Sequence, residues 1–594
     1  MGSELGITAD SKAQVRLDAV GIWWVCWACT WTVLLLCGMG YLIHNRNAPI
    51  LRVRGIGLSL SAVVLLHLYW FSVQLAYVLG ALTPGECEYW IMGTYLPLGI
   101  ALFHASNSRF LYVAQAQQKY LNRDSDNPLP SRRGWGVVRR FKNWDYTSRM
   151  VLLVGLGMAF QLFLTILMYL ISRKFHHSWG IPGTEVHGTD MEQKMQIGRG
   201  WEWWPGIFWQ FVWAWLVAPW ILWRSRNIND THGWRIQTIG CAIAGLHATP
   251  MWLIALYVPA MESVNKYFVP PQWIAISVWF LQVFTVFLPC WEVRRATNLR
   301  QDTLDSIAQW ESKNNASSTS AKSYGNTTST VVDTLMTGNK STAGSIKSTD
   351  SQESILTMSA LEYVLERNPA PLQEFSALRD FSGENVAFLT SVAEWKASLP
   401  KPARDGTKDE STPELVRERF SRAVSIYAEF ISINDAEFPI NISSTELKKL
   451  ETIFESSTRA IYGHKRAVDP VTPFEFAAAA AATTATTAKP PPTAKSVDSA
   501  STTTIDMSLD GGYDSDNDGD VAQERRGQLQ FWGEIPDAFD ESVFDEAEKH
   551  VKYLVLTNTW PKFVKDRRSS LDLEHASNTG RSMIQMVRNR HARR

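Results

Sequence analysis

Seven runs of roughly 20 apolar residues, the length needed to cross a hydrocarbon core, fill the first half of this 594-residue chain. They lie at about 19–43, 55–80, 90–113, 150–172, 205–223, 236–258 and 272–293, separated by polar loops. Residues 19–293 therefore read as a seven-helix transmembrane bundle behind a short extracellular N-terminus, 1–18. The first run lacks a basic flank followed by a small-residue cleavage site, so it reads as a retained span rather than a signal peptide. Gly6 stands where a myristoylation signal wants Ser or Thr, and no lipidation is expected.

The averages conceal two materials. Net charge is zero, yet 22 of the 26 tryptophans precede residue 296. All six cysteines precede it too, mostly inside apolar runs, which implies lipid-facing or packed thiols and no disulfide framework. Orientation follows from the Lys and Arg bias of the loops. One side of the bundle carries 17, among them Arg52, Lys119, Arg235 and Arg300, and the other carries 7. The N-terminus is thus placed outside, and everything after residue 293 in the cytosol.

Apart from Glu292 at the last boundary and Arg109 near the end of the third run, the spans hold no acidic residue, Lys or Arg. A transporter usually needs such groups near mid-membrane, which disfavours a transporter with a regulatory tail. His67, His104 and His247 read as residues hydrogen-bonded between helices, the alternative being ligands. Pro97, Pro219, Pro250 and Pro289 should each disturb their helix. The tryptophans from 201 to 223 read as an interfacial belt, with an aromatic ligand cage as the alternative. Common receptor landmarks are poor: Ser108-Arg109-Phe110 is a degenerate form of the motif ending helix three, and the seventh run lacks Asn-Pro-x-x-Tyr.

The second half is built differently. Residues 294–312 carry Leu304, Ile307 and Trp310 at helical spacing and predict an amphipathic extension along the membrane surface. Residues 313–354 are rich in Ser, Thr, Asn and Gly and predict a disordered linker. Helical patterns then fill 359–566, except for an insertion at about 455–541 with an alanine run, prolines and clustered Asp. Inside it, Asp514-x-Asp516-x-Asp518-Gly519 mimics the start of a calcium loop, but the twelfth position is Arg525. The segment therefore reads as disordered, acidic and open to phosphorylation rather than as a metal site. The basic tail, 567–594, holds seven arginines and predicts an anionic-lipid contact, with Ser570 in Arg567-Arg568-Ser569-Ser570 as a phosphorylation candidate.

Three pieces of this half carry the most information. Phe381–Leu389, FSGENVAFL, reads as a turn running into a helix, with Ser382 as cap and Glu384-Asn385 facing outward; alone, such a pair is a solvated cap. Residues 424–445 give a helix and then a loop ending at Asn441. Residues 544–564 give a helix, a polar break at Thr557–Thr559 and a short second helix. In order and character these resemble the regulator of G-protein signalling (RGS) box, and the whole resembles the receptor-RGS hybrids of plants and fungi.

The resemblance implies an all-α protein: the membrane bundle plus a cytosolic all-helical RGS domain with a long disordered insertion. It implies no enzyme chemistry and no cofactor. Instead the domain would grip the α subunit of a heterotrimeric G protein (Gα) in its GTP or transition-state form, restricting catalytic groups that Gα already holds. The contact positions carried over are Glu384, Asn385, Asn441, Leu554, Asn558, Thr559 and Lys562. Asn558 stands where many members have Asp, and Lys562 where they have Arg, which replaces a planar fork by a point charge. The expected role is a plasma-membrane GTPase activator. The alternative is a non-activating scaffold that binds Gα or other partners, and nucleic acid is not an expected partner.

Overall fold

The first described helix, α1 (Ala19–His44), begins where the Asp18 carboxylate accepts the Gly21 N–H. The computed structural model describes residues 12–121, 146–176, 178–316, 332, 355–398, 413–462 and 531–570. After α1 come α2 (Ile56–Leu79), α3 (Gly85–Gln117), α4 (Tyr146–Ile171), α5 (Trp201–Arg224), α6 (Trp234–Tyr257) and α7 (Gln272–Gln309). The described residues contain no strand, only an isolated bridge between Ser172 and Ile181.

Six of these helices, all but α3, are long and apolar enough to cross a membrane, which makes the chain a multi-pass membrane protein. Seven were expected. Helix α3 is long enough, but His104, Ser106, Asn107 and Arg109 dilute its apolar run, and all four are buried. It packs against α2, α4 and α5, and the bundle closes where α7 meets α1 and α2. Because lipid tails are as apolar as leucine, helices in a bilayer associate through close approach and internal hydrogen bonds. Both devices are present. A Cβ on Gly99 would lie 2.6 Å from Leu66 Cγ, so α2 and α3 touch at backbone distance. Trp31 Nε1 donates to Gln282 Oε1 at 2.6 Å, Gln74 Nε2 to Gln272 Oε1 at 3.1 Å and Thr238 Oγ1 to Asn107 Oδ1 at 2.9 Å. His67 lies between Thr32 and Gln282, which matches the interhelical role expected of it.

The prolines act locally. Proline offers no N–H and its ring clashes with the carbonyl four residues back. The helix widens into π turns at Val212–Val217 and Val283–Phe287, directly ahead of Pro219 and Pro289. Pro97 would orphan the Gly93 carbonyl, and Thr165 Oγ1 of α4 donates to it at 3.1 Å. Trp201, Trp204, Trp215, Trp220 and Trp223 are exposed on the bundle flank, while Trp213 stacks on His104.

The tail domain comprises α8 (Met358–Arg367), α9 (Ala370–Leu378), α10 (Gly383–Ala397), α11 (Pro413–Phe430), α12 (Ser444–Tyr462) and α13 (Asp545–Leu554). Its core is aromatic: Phe454 stacks on Phe544 at 5.6 Å, and Trp395 meets Phe544 edge-on at 5.5 Å. The expected break at Thr557–Thr559 is instead a π turn, Val555–Thr559, ahead of Pro561, and the chain stays helical to Ser570. Ordered structure also reaches into the stretch read as insertion. Helix α12 continues to Tyr462, and Phe531, whose N–H donates to Ser421 Oγ at 3.0 Å, packs on Phe420. Residues 463–530, with the Asp514–Asp518 pattern, lie outside the described residues, as do 571–594 of the basic tail and nearly all of the linker.

Bundle and tail domain share one core. Phe110, Val113 and Ala114 at the end of α3, Tyr120 just beyond it and Trp234 of α6 belong to the same buried cluster as the tail-domain aromatics. Ile307, expected to lie along the membrane surface, packs against that cluster instead. The side chain of Trp310 lies outside the described residues.

Candidate functional site

Helix α10 starts from a strained turn. Phe381 has φ 49°, a left-handed conformation costly for a bulky side chain, and it is buried against Phe110 of α3 and His232 of the loop before α6. Ser382 does not cap the helix through its side chain, contrary to expectation. Its hydroxyl donates to Asp380 Oδ2 at 2.9 Å, because Asp380 is the buried hub of the turn.

Asp380 ties three segments together. Thr559 Oγ1 donates to its Oδ2 at 2.8 Å and Lys562 Nζ to its Oδ1 at 2.7 Å, fixing the helix beyond the π turn. From the bundle side, Thr231 Oγ1 donates to Oδ1 at 2.9 Å, and His232 Nε2 donates to the Asp380 carbonyl at 2.7 Å. Burial works against the Asp380 carboxylate, but Lys562 and the hydrogen bonds outweigh it and hold its pKa below the usual value. Burial, and then the nearby Lys562 charge, push the His232 pKa down. Sequence reasoning missed this hub; Asp380 lies one residue outside the stretch singled out, and nothing local marks it.

All seven expected positions line one cavity of about 350 Å³, together with Asp380, Phe381 and Ser382. Asn385 is buried, its Nδ2 donating to Glu384 Oε1 at 3.1 Å while its Oδ1 meets no partner among the described residues. Asn558 Nδ2 donates back to the Leu554 carbonyl at 3.3 Å, an interaction the widened turn permits. The positions are not equal, however. Asn385 and Asn441 present amides to the cavity, whereas Thr559 and Lys562 are committed to Asp380 and brace the turn. Ser570 is exposed, its hydroxyl donating to the Asp566 carbonyl at 3.0 Å.

The opposite wall of the cavity belongs to the bundle, including Arg52, Arg109, His232 and Arg300. The Glu384-Asn385 pair thus does not face solvent, as expected, but meets the underside of the bundle. Gln117, the fully buried last residue of α3, accepts the Gly383 N–H at Oε1 (2.9 Å) and donates from Nε2 to Glu384 Oε2 (2.9 Å). Arg52 donates to Asn441 Oδ1 at 3.0 Å. Tyr112 and Lys119 both donate to the Glu437 carboxylate, at 2.6 and 2.7 Å. Burial pushes the Glu384 carboxyl up to about 7, the Gln117 amide opposing it and Asp380 adding to it.

The cavity thus offers amides, one unpartnered carbonyl oxygen and a braced turn. Arg52, Arg109, Arg300 and Lys562 also line it, and no group of three His, Cys, Asp or Glu side chains that could hold a metal ion exists among the described residues. Comparison with protein-family models, with curated proteins and with solved structures finds no match for this chain.

Proposed function

We propose that this chain is a membrane-embedded regulator of G-protein signalling whose tail domain, an RGS domain, accelerates GTP hydrolysis by a heterotrimeric Gα. One observation carries the reading: seven positions chosen on the RGS resemblance, from three separate segments, line a single cavity. The turn after α9 and the one after α13 meet through side chains 179 residues apart.

In this reading the domain supplies no base and no metal. Asn385 and Asn441 would hydrogen-bond the switch segments of Gα, while Asp380, Thr559 and Lys562 keep the turn rigid, so that ordering is complete before the partner arrives. Helix α3 serves as the seventh span, its polar residues turned inward. The Lys and Arg bias supports an N-terminus outside and a tail domain in the cytosol, and the proposed role fits the plasma membrane.

A second reading, a scaffold that binds Gα or other partners without activating hydrolysis, is favoured by one observation: the bundle covers the face. Single-turnover GTP hydrolysis separates the two. The full chain in lipid nanodiscs carries Gln117→Ala and Lys119→Glu to loosen the cover, with and without Asn385→Ala and Asn441→Ala. The activating reading requires acceleration that vanishes when both amides are removed. Equal rates with both amides and without them contradict it.

A further inference from the structure

The face that the proposed function needs is already occupied. Across it run hydrogen bonds from Gln117 to Gly383 and Glu384 and from Arg52 to Asn441, so the bundle already bonds two of the seven positions expected to meet Gα, Glu384 and Asn441. A cavity of about 350 Å³ is far too small for a protein surface to enter while the bundle forms its other wall. Interfaces of standard size bury about 800 Å² on each partner, and that area does not exist until the domain moves.

We infer that the membrane bundle is a built-in competitor for Gα: its Gln117 end holds the tail domain with the Gα-binding face covered, and bundle and Gα occupy that face in turn. This rests on the function proposed above and adds its regulation. The shared core is buried, and the contact is open to solvent at its edge. Gln117 is fully buried, but Lys119 and Glu437 are each more than one-third or nearly one-third exposed, at 40% and 33% of their side-chain surface. The covering residues also sit where motion of the bundle would reach them. Helix α3 is a continuous 33-residue helix, about 50 Å long at 1.5 Å per residue, that ends on Glu384 through Gln117. A second strut, the Thr231–His232 loop, joins α6 to the same turn through Asp380. A shift of α3 or of that loop therefore alters the cover directly, with no intervening linker.

The two states exclude each other, so linkage applies: whatever favours the covered form weakens Gα binding by the same factor, and Gα binding frees the bundle end. The test uses the full chain in nanodiscs, purified Gα with GDP and aluminium fluoride as probe, and hydrogen exchange over residues 380–390 as an independent report of the cover. Gln117→Ala with Lys119→Glu removes three hydrogen bonds and reverses a charge, and should raise both exchange and Gα affinity, the latter about tenfold or more. Lys119→Glu combined with Glu437→Lys restores the ion pair in the opposite sense and should return affinity toward that of the unaltered chain.

If exchange rises in the loosened chain while affinity equals that of the unaltered chain, the face was accessible all along; competition is overturned and the proposed function stands. Faster exchange with no Gα binding by any variant removes the proposed function, and the competition with it. Unchanged exchange shows that Gln117 and Lys119 do not hold the cover, which also overturns the inference.

Discussion

Phe160, Phe163 and Phe208 of the bundle leave 57%, 57% and 66% of their surface uncovered, whereas Phe388, Phe420 and Phe544 of the tail domain are fully buried. The same side chain is placed in opposite ways because the two halves answer to different solvents. In the bundle, lipid already satisfies apolar surface, so polar links such as Trp31–Gln282 and close approaches such as Gly99–Leu66 hold the helices together. In the tail domain, water drives burial and aromatic packing does most of the work. The junction shows where one regime ends. Phe110 and Tyr120, although on the end of a bundle helix and just beyond it, are buried in the tail domain's own core. Half of the candidate site is assembled on that junction.

The comparison is sharpest for matched substitutions. Phe544→Ala should destabilise the tail domain by about 3–5 kcal/mol, the range for deleting a buried aromatic, seen as loss of protection across α10–α13. Phe163→Ala should change unfolding in nanodiscs by less than about 0.5 kcal/mol. Equal effects of the two would mean that the bundle too folds by burial. Next in size is Asp380→Ala, which strands Lys562, Thr559 and Thr231 and should cost about 3 kcal/mol. Its signature is release of the 229–233 loop together with the 557–562 turn, and protection lost at only one of them would disprove the hub.

A smaller effect concerns pH at the junction. Glu384 is pushed up to about 7 when covered, with Gln117, Lys119, Tyr120 and Asp380 facing it, and returns to the ordinary carboxylate range when freed. The covered form binds the proton more tightly, so this contribution to the cover is complete below the freed pKa and is lost as pH rises through about 7. Labels replacing the exposed His44 and Lys565 should therefore report more separation at pH 8 than at pH 6, and Glu384→Gln should flatten the response. The smallest effect is that of Lys119→Ala alone, at most about 1 kcal/mol for a pair this exposed. Its interest lies in measuring how little the rim of the cover contributes beside Gln117.

Much of the bundle was legible because 20-residue apolar runs have few alternatives in lipid. Helix α3 escaped the length-and-apolarity description for a physical reason: His104, Asn107 and Arg109 face inward, where polarity is tolerated. In the tail domain, Glu384, Asn385, Asn441 and Asn558 could be placed near one another only through resemblance, since no periodicity joins segments so far apart. Asp380 was invisible, being an acidic residue before a turn like many others. The orientation of the face was misread because Glu384 and Asn385 do point away from their own domain, and only the tertiary contact with Gln117 shows what they point at. The Thr557–Thr559 break was misread because polar residues ahead of a proline signal a helix end as well as a π turn.

The claim that the amide-lined face is where the partner sits can be tested by capture. A photo-crosslinking residue replaces Asn558 in the full chain carrying Gln117→Ala and Lys119→Glu, and a second chain carries the same residue at Lys565, exposed and away from the cavity. Position 558 is expected to capture Gα loaded with GDP and aluminium fluoride and to ignore the GDP form, with position 565 capturing neither. Equal capture from 558 and 565, or capture from 558 regardless of nucleotide, would contradict the account.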